Sequence, residues 1–199
     1  MGASVLHEEA VFPVRNAGIP INIRNTNEPD APGTMIVAGT KEYDAERIIT
    51  GIAGKKGFSV ITIEKDMMNA EIGFGRRVLD VLEDNDMPFE HLPSGVDTMS
   101  VVVASEYLEE RREKLIASLN KRVRPDSIVI EDGFALIAVV GRGMVKAKGT
   151  AARVFNAISG ADVNIRMIDQ GSSELNIIVG VEERDFNKAH NAIYHEFVK

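Results

Sequence analysis

The sequence contains no cysteine, which excludes disulfides, thiolate nucleophiles and cysteine-ligated zinc or iron–sulfur sites. No apolar run approaches the roughly 18 to 20 residues of a membrane span. The opening residues, MGASVLHEEA, lack the basic region and apolar core of a secretion signal. The expectation is a cytoplasmic protein with no membrane partner. Positive charge is in deficit, with 23 Lys and Arg against 30 Asp and Glu and a net charge of −7. That balance argues against a phosphate-neutralising surface and so against nucleic acid as a partner. What is present is ordinary for a globular chain: 199 residues, 44% hydrophobic and 27% charged, enough for one large domain or two small ones.

Self-comparison favours two. GFSVITIE from Gly57 aligns with GFALIAVV from Gly133, an offset of 76, and the same offset places Gly73 on Gly149, Arg77-Val78 on Arg153-Val154, Gly95 on Gly171 and SVVV from Ser100 on NIIV from Asn176. Such a repeat is the first thing to settle, because it decides the architecture. Within the first copy the hydrophobic period switches between strand and helix. Phe58 to Glu64 reads as a strand, and Phe74, Val78, Val81 and Leu82 recur at helical spacing after Gly73. FEHL reads as a short strand and MSVVVAS as the next; Leu115, Leu119 and Val123 mark a second helix, and SIVIED closes the unit. This β-α-β-β-α-β order predicts a ferredoxin-like α+β fold, an antiparallel sheet with both helices on one face.

The second copy repeats the pattern over Phe134–Val140, Ala151–Ile158, Val163–Ile168, Leu175–Val181 and Phe186–Phe197, then ends without a counterpart of SIVIED. Its sheet would be left with an uncovered edge. The strand-like segment RIITGIAGKK, Arg47 to Lys56, lies upstream of the first copy and has no partner there. We therefore expect it to complete the second sheet, so that the first unit, 57–132, is inserted into a discontinuous second unit, 46–56 plus 133–199. Residues 1–45 belong to neither copy: a helical stretch around Glu8 to Asn16, an alternating IPINIR, and the turn-rich NTNEPDAPGT.

The N-terminal stretch GASVLHEEAVFPVRNAGIPINIRNTNEPDAPGT resembles the end of the catalytic domain of aspartate kinases, and the two repeats resemble the tandem ACT domains that follow it. The similarity covers essentially the whole chain; IRNTNEPDAPGT, ITGIAGKKGFSVITI, EHLPSGVDTMSVVV and IRMIDQGSSELNIIVGV are its most specific pieces. The KFGGTS-type nucleotide segment with which such kinases begin is absent. The resemblance thus implies a regulatory region, or a separately translated regulatory subunit. Alone it would be catalytically silent, with ATP and Mg required only by the full kinase, which makes 4-phospho-aspartate from aspartate and ATP. Residues 1–45 would be a remnant of the kinase domain.

The resemblance further implies an amino-acid effector, lysine or alternatively threonine, bound between units. In the first copy the helix start at Gly73, Phe74 and Gly75 would offer amides to its carboxylate. Met68, Asn69 and Glu71 of the preceding loop would contact its stem and polar ends. Glu90 would take its ammonium group, and Ser94 and Gly95 would finish the pocket. Plainer readings stand beside these: Met67 and Met68 as packing, Glu71 and Glu90 as solvated charges, Gly73 as a helix–sheet contact. In the second copy Gly149, Gln170, Gly171, Ser172 and Ser173 hold the equivalent places, but Arg166 replaces Glu90 and Lys146 and Lys148 enrich the loop, which disfavours a cationic ligand. That unit is expected to serve homodimer contacts and docking on the kinase domain or a catalytic subunit.

Competing chemistries find little support. GRGMVKAKG and GIAGKKG miss the spacings of dinucleotide and phosphate loops. His190 and His195 are five residues apart on a helix and face different ways, and His7, Glu8 and Glu9 suggest no defined site, so no metal site is expected. An RNA-binding sheet would carry aromatics on its central strands, where this chain has SVVV and NIIV.

Overall fold

A computed structural model describes residues 6, 8–37, 48–145 and 147–198. The expected boundary between residues 45 and 46 lies outside these, as do His7, Lys146 and the side chains of Glu8 and Glu9.

The N-terminal segment forms helix α1 (Glu8–Asn16) and a small hairpin of β1 (Ile21–Ile23) and β2 (Thr34–Ile36). The loop between the two strands is gathered by Arg24, whose guanidinium donates to the carbonyls of Pro29 and Ala31. There follow β3 (Gly51–Glu64), α2 (Phe74–Glu83), β4 (Thr98–Ala104), α3 (Ser105–Leu108), α4 (Arg112–Val123) and β5 (Ser127–Val140). The chain ends with α5 (Thr150–Gly160), β6 (Met167–Asp169), β7 (Asn176–Glu182) and α6 (Phe186–Phe197).

Apart from the β1–β2 hairpin, the strands form one antiparallel order, β4-β3-β5-β7-β6. Its spine is a ribbon of β3 and β5, each 14 residues long, that serves both halves of the molecule. Phe58–Glu64 of β3 pairs with β4, while Gly51–Lys56 pairs with Val140–Ala135 of β5. The second half of β5 in turn pairs with β7. The upstream segment therefore supplies a strand to the second half before the chain enters the first. Both strands of the ribbon are interrupted at one level, where the register shifts between Lys56 and Val60 and where Gly57 and Gly133 adopt positive φ of 84° and 76°. An extra residue at such a point bends and twists a ribbon, and these two glycines are related by the 76-residue repeat.

Alternation along the strands divides the apolar side chains between faces. Ile61, Ile63, Val101 and Val103 turn toward α2 and α4, where Val78, Val81, Leu115 and Leu119 complete a core. Ile137, Val139, Ile177 and Val179 turn toward α5 and α6, meeting Val154, Ile158 and Ile193. The opposite faces form a third core from Phe58, Val60, Val102 and Ala104 of one half with Phe134, Leu136, Ala138 and Ile178 of the other. Full burial of each of the valine, leucine, isoleucine and phenylalanine side chains is worth about 1.5–3 kcal/mol. The halves fold over on this face: His91, on the far side of β4, brings its Nδ1 to 3.0 Å from Asp169 Oδ2 on β6, at the other end of the strand order. Arg166 Nη2 reaches Glu131 Oε1 at 2.7 Å across the same junction.

Two predicted strands are shorter than their sequence pattern. FEHL, expected beside MSVVVAS, makes only one isolated bridge, His91 to Val102, and a second, Ser94 to Met99, follows beyond Pro93. Pro88 and Pro93 bracket it, and proline has no amide to give a ladder. Of Val163–Ile168, only the end is strand, within Met167–Asp169.

Candidate functional site

The loop between β3 and α2 is the most organised polar feature among the described residues. It turns through a short 3₁₀ segment, Met68–Ala70, entered at Met67 with φ of 57°. Backbone and side-chain bonds tie it to the turn before β4. Lys65 N donates to Asp97 O at 2.9 Å, Met67 N to Asp97 Oδ1 at 2.9 Å, and Asn69 N to Val96 O at 3.1 Å. On its other side Asp66 N donates to Asp126 Oδ2 at 2.7 Å. Helix α2 then begins at Gly73, in the left-handed region at φ 79°, with no side chain capping its first turn. The amide of Phe74, expected to face a ligand, is already given to Glu71 O at 3.1 Å; the amides left open at a helix start favour an anionic group.

The expected site residues distribute unevenly around this loop. Asn69, Ser94 and Gly95 are drawn together through the Asn69–Val96 bond. Gly75 joins them: a Cβ there would lie 3.4 Å from the methyl of Met99, the residue bridged to Ser94. Met68 instead packs in the core of the first half, 5% exposed, and Phe74 is buried beside it. Glu71 is engaged, its Oε2 2.6 Å from Lys65 Nζ and its Oε1 paired with Arg77. Glu90 lies opposite Val102, three residues from Met99 and so about 10 Å along the strand at ~3.3 Å per residue. It is exposed, and among the described residues its carboxylate takes no partner.

Lys65 and Arg77 were not singled out from the sequence. Lys65 Nζ also donates to Val123 O at 2.8 Å, at the end of α4, and lies 5.7 Å from the Phe74 ring. Arg77 Nη1 donates to Ile72 O at 3.2 Å. Nothing in their spacing announces this grouping, which depends on how β3, α2 and α4 converge. The hydrogen bond from Lys65, with the charges of Lys65 and Arg77 adding against partial loss of solvent, holds the Glu71 carboxyl below its ordinary value of 4.5. A depressed carboxyl stabilises the fold fully above its unfolded pKa and loses that contribution as pH falls through the folded one. The melting-temperature gap between the parent and Glu71→Gln is therefore expected to be widest near pH 7 and to narrow as the pH falls below the ordinary value of 4.5; a gap constant from about pH 7 to 3 would refute this coupling.

The second half repeats the arrangement with different side chains. Gly149 has φ of 86° at the start of α5, again without a side-chain cap. Met144, Lys148, Gly149, Ala151 and Gln170 line an open depression of about 610 Å³ there. Gln170, expected at this place from the repeat, does face Gly149. Arg166, aligned with Glu90, is spent on Glu131 and Glu182 and on the face of Phe134.

Comparison with known proteins agrees with this geometry. Residues 137–197 match the ACT domain family. Over 197 residues the chain is 43% identical to Aspartokinase 3 of Bacillus subtilis (strain 168), covering 98% of this chain and 43% of that protein. The crystal structure of aspartate kinase from Clostridium acetobutylicum superposes with a TM-score of 0.93 at 54% identity, over 99% of this chain and 45% of that one. The T-state structure of E. coli aspartokinase III in complex with lysine and aspartate shares the fold, with a TM-score of 0.76 at 20% identity over 98% of this chain and 42% of that one. The chain thus spans less than half the length of these relatives. With two repeated helix-on-sheet units joined by one ribbon, and with its likenesses to the Bacillus subtilis and Clostridium acetobutylicum enzymes running along nearly its whole length, the chain belongs to the aspartate kinase family as an ACT-bearing regulatory region.

Proposed function

We propose that the chain senses an end-product amino acid and passes its occupancy to an aspartate kinase catalytic region, giving feedback control over conversion of aspartate and ATP to 4-phospho-aspartate. The observation that carries this reading is the β3–α2 loop: an uncapped helix start beside a turn to which it is hydrogen-bonded, in a chain matched to aspartate kinases over 98% of its length. Lysine is the proposed effector, with threonine the alternative; a lysine complex is known for the E. coli relative. The amides of Gly73 and Gly75 would take its carboxylate, with buried Phe74, whose own amide is given to Glu71 O at 3.1 Å, between them; Asn69, Ser94 and Gly95 would flank it, and Glu90 would take its ammonium group. Met68 would support the loop from the core, and Glu71, already paired, would hold it in place. ATP and Mg would be bound by the catalytic region, and this chain would provide no catalytic group.

Thermal unfolding against each amino acid at millimolar concentration tests the proposal, because a ligand specific to the folded state stabilises by RT ln(1 + [L]/Kd), about 2.7 kcal/mol at 100 times Kd. A rise in melting temperature with lysine that is lost in Glu90→Ala is expected. No shift with any amino acid would refute effector binding by this chain.

A second reading, assembly through the same surface, is favoured by a specific feature. Met67, Ile72 and Val96, 71%, 96% and 64% exposed, surround the loop, an unusual concentration of apolar side chains for a free surface. A second copy of the chain would cover them and make a homodimer. Sedimentation should then show a dimer that Ile72→Asp dissociates; a parent that stays monomeric would dismiss the idea.

A further inference from the structure

We propose that Ser59, Ser105, Arg112 and Asp132 form a latch that sets the angle between the two halves of the chain. Ser59 pairs with Val103 on β4 but has no partner on β5, and Asp132 and Gly133 have none on β3. The ribbon's own ladder is therefore open at the level where it passes from one half to the other. Side chains close the gap. Ser59, wholly buried, donates from Oγ to Asp132 Oδ1 at 2.6 Å and meets Ser105 Oγ at 2.8 Å. Arg112 Nη2 donates to both carboxylate oxygens of Asp132 at 2.7 Å.

The four residues come from four elements, β3, α3, α4 and β5, with Ser105 and Arg112 each the first residue of its helix. Asp132 adjoins Gly133, one of the two positive-φ glycines at the bend. The serine bond and the arginine hold its carboxyl below the ordinary range, so at neutral pH it is the charged acceptor that both donors need. A bend formed only by glycines would be free to vary. Here Asp132, next to Gly133, and Ser59, two residues after Gly57, are tied into the helix layer of the first half, which fixes the direction in which the second half leaves. The third core and the His91–Asp169 and Arg166–Glu131 contacts then close at a defined angle. If an effector alters the first half, this latch is where the change in direction reaches the second.

The absence of cysteine makes the test direct. Spin labels at Lys114→Cys on α4 and Asn187→Cys on α6 report the distance between halves by pulsed electron double resonance, and a pair at Glu83→Cys and Lys114→Cys reports within the first half. In Ser59→Ala and in the near-isosteric Asp132→Asn, the inter-half distribution is expected to widen or shift while the pair within the first half keeps its parental distribution. An unchanged inter-half distribution in both variants overturns the proposal. So does equal broadening of the two label pairs, which would make the cluster a support of the first half alone. Asp132→Asn preserves shape and volume, so its result stands even if Ser59→Ala weakens the fold.

Discussion

Replacing Gly141 with alanine is expected to destabilise the chain by about 3 kcal/mol, at the upper end of overpacking costs. Gly141 is buried immediately after β5, and a Cβ there would stand 2.5 Å from Ile48 O, 2.6 Å from Ile49 Cα and 2.9 Å from Thr50 N. All three are backbone atoms, so no side-chain rotation relieves the contact. Neither strand can step aside cheaply: Thr50 N is bonded to Val140 O at 2.7 Å, and Gly141 N to Leu175 O at 3.0 Å. The collision strikes where the upstream segment joins the second half. A lower urea midpoint at unchanged slope would report the loss. A change below about 1 kcal/mol, the scale of a tolerated core substitution, would mean that residues 48–50 do not press on Gly141 in solution.

Phe58→Ala should cost as much or more, about 3–5 kcal/mol for a buried phenylalanine. Phe58 stands at the bend of the ribbon, opposite both Phe134 and Ala104, and is fully buried in the core shared by the two halves. The loss should be felt on both sides, because β3 and β5 each run through both halves. Native-state hydrogen exchange gives the readout: the slowest amides of α4 and of α6 should lose protection together. Loss confined to one helix would show that the halves open independently and that the shared ribbon does not couple them.

Much of this fold was legible because the repeat repeats its physics as well as its letters. Gly57 and Gly133 share a positive φ, as do Gly73 and Gly149, a region that glycine enters without the steric cost an L side chain carries. The missing last strand of the second copy pointed upstream because an unpaired edge must be covered, and Gly51–Lys56 pairs with Ala135–Val140. FEHL misled because its apolar and polar alternation looked like a strand, while the prolines on either side limited its ladder. The site was less legible. Glycine and the turn residues gave the place of the loop, since they mark backbone shape. Lys65, Arg77, Asp97 and Asp126 did not stand out, because each looks like a solvated charge until three elements converge. Glu71, expected at a ligand's polar end, is held between two cations, and only the placement of Lys65, six residues earlier and just past the end of β3, brings this about.

The threading of β3 also imposes an order of events on biosynthesis. Gly51–Lys56 leaves the ribosome well before Ala135–Val140, its partners 79 to 89 residues later. At roughly 5–20 residues per second, that strand waits about 4–18 s for its neighbour. Pairings so distant in sequence are slow to form in any case, because the loop must close before the contacts repay it. Until then the nascent first half carries a bare strand as a tail, and the likeliest error is for two chains to supply each other's missing strand, giving an exchanged dimer in place of a correctly closed molecule.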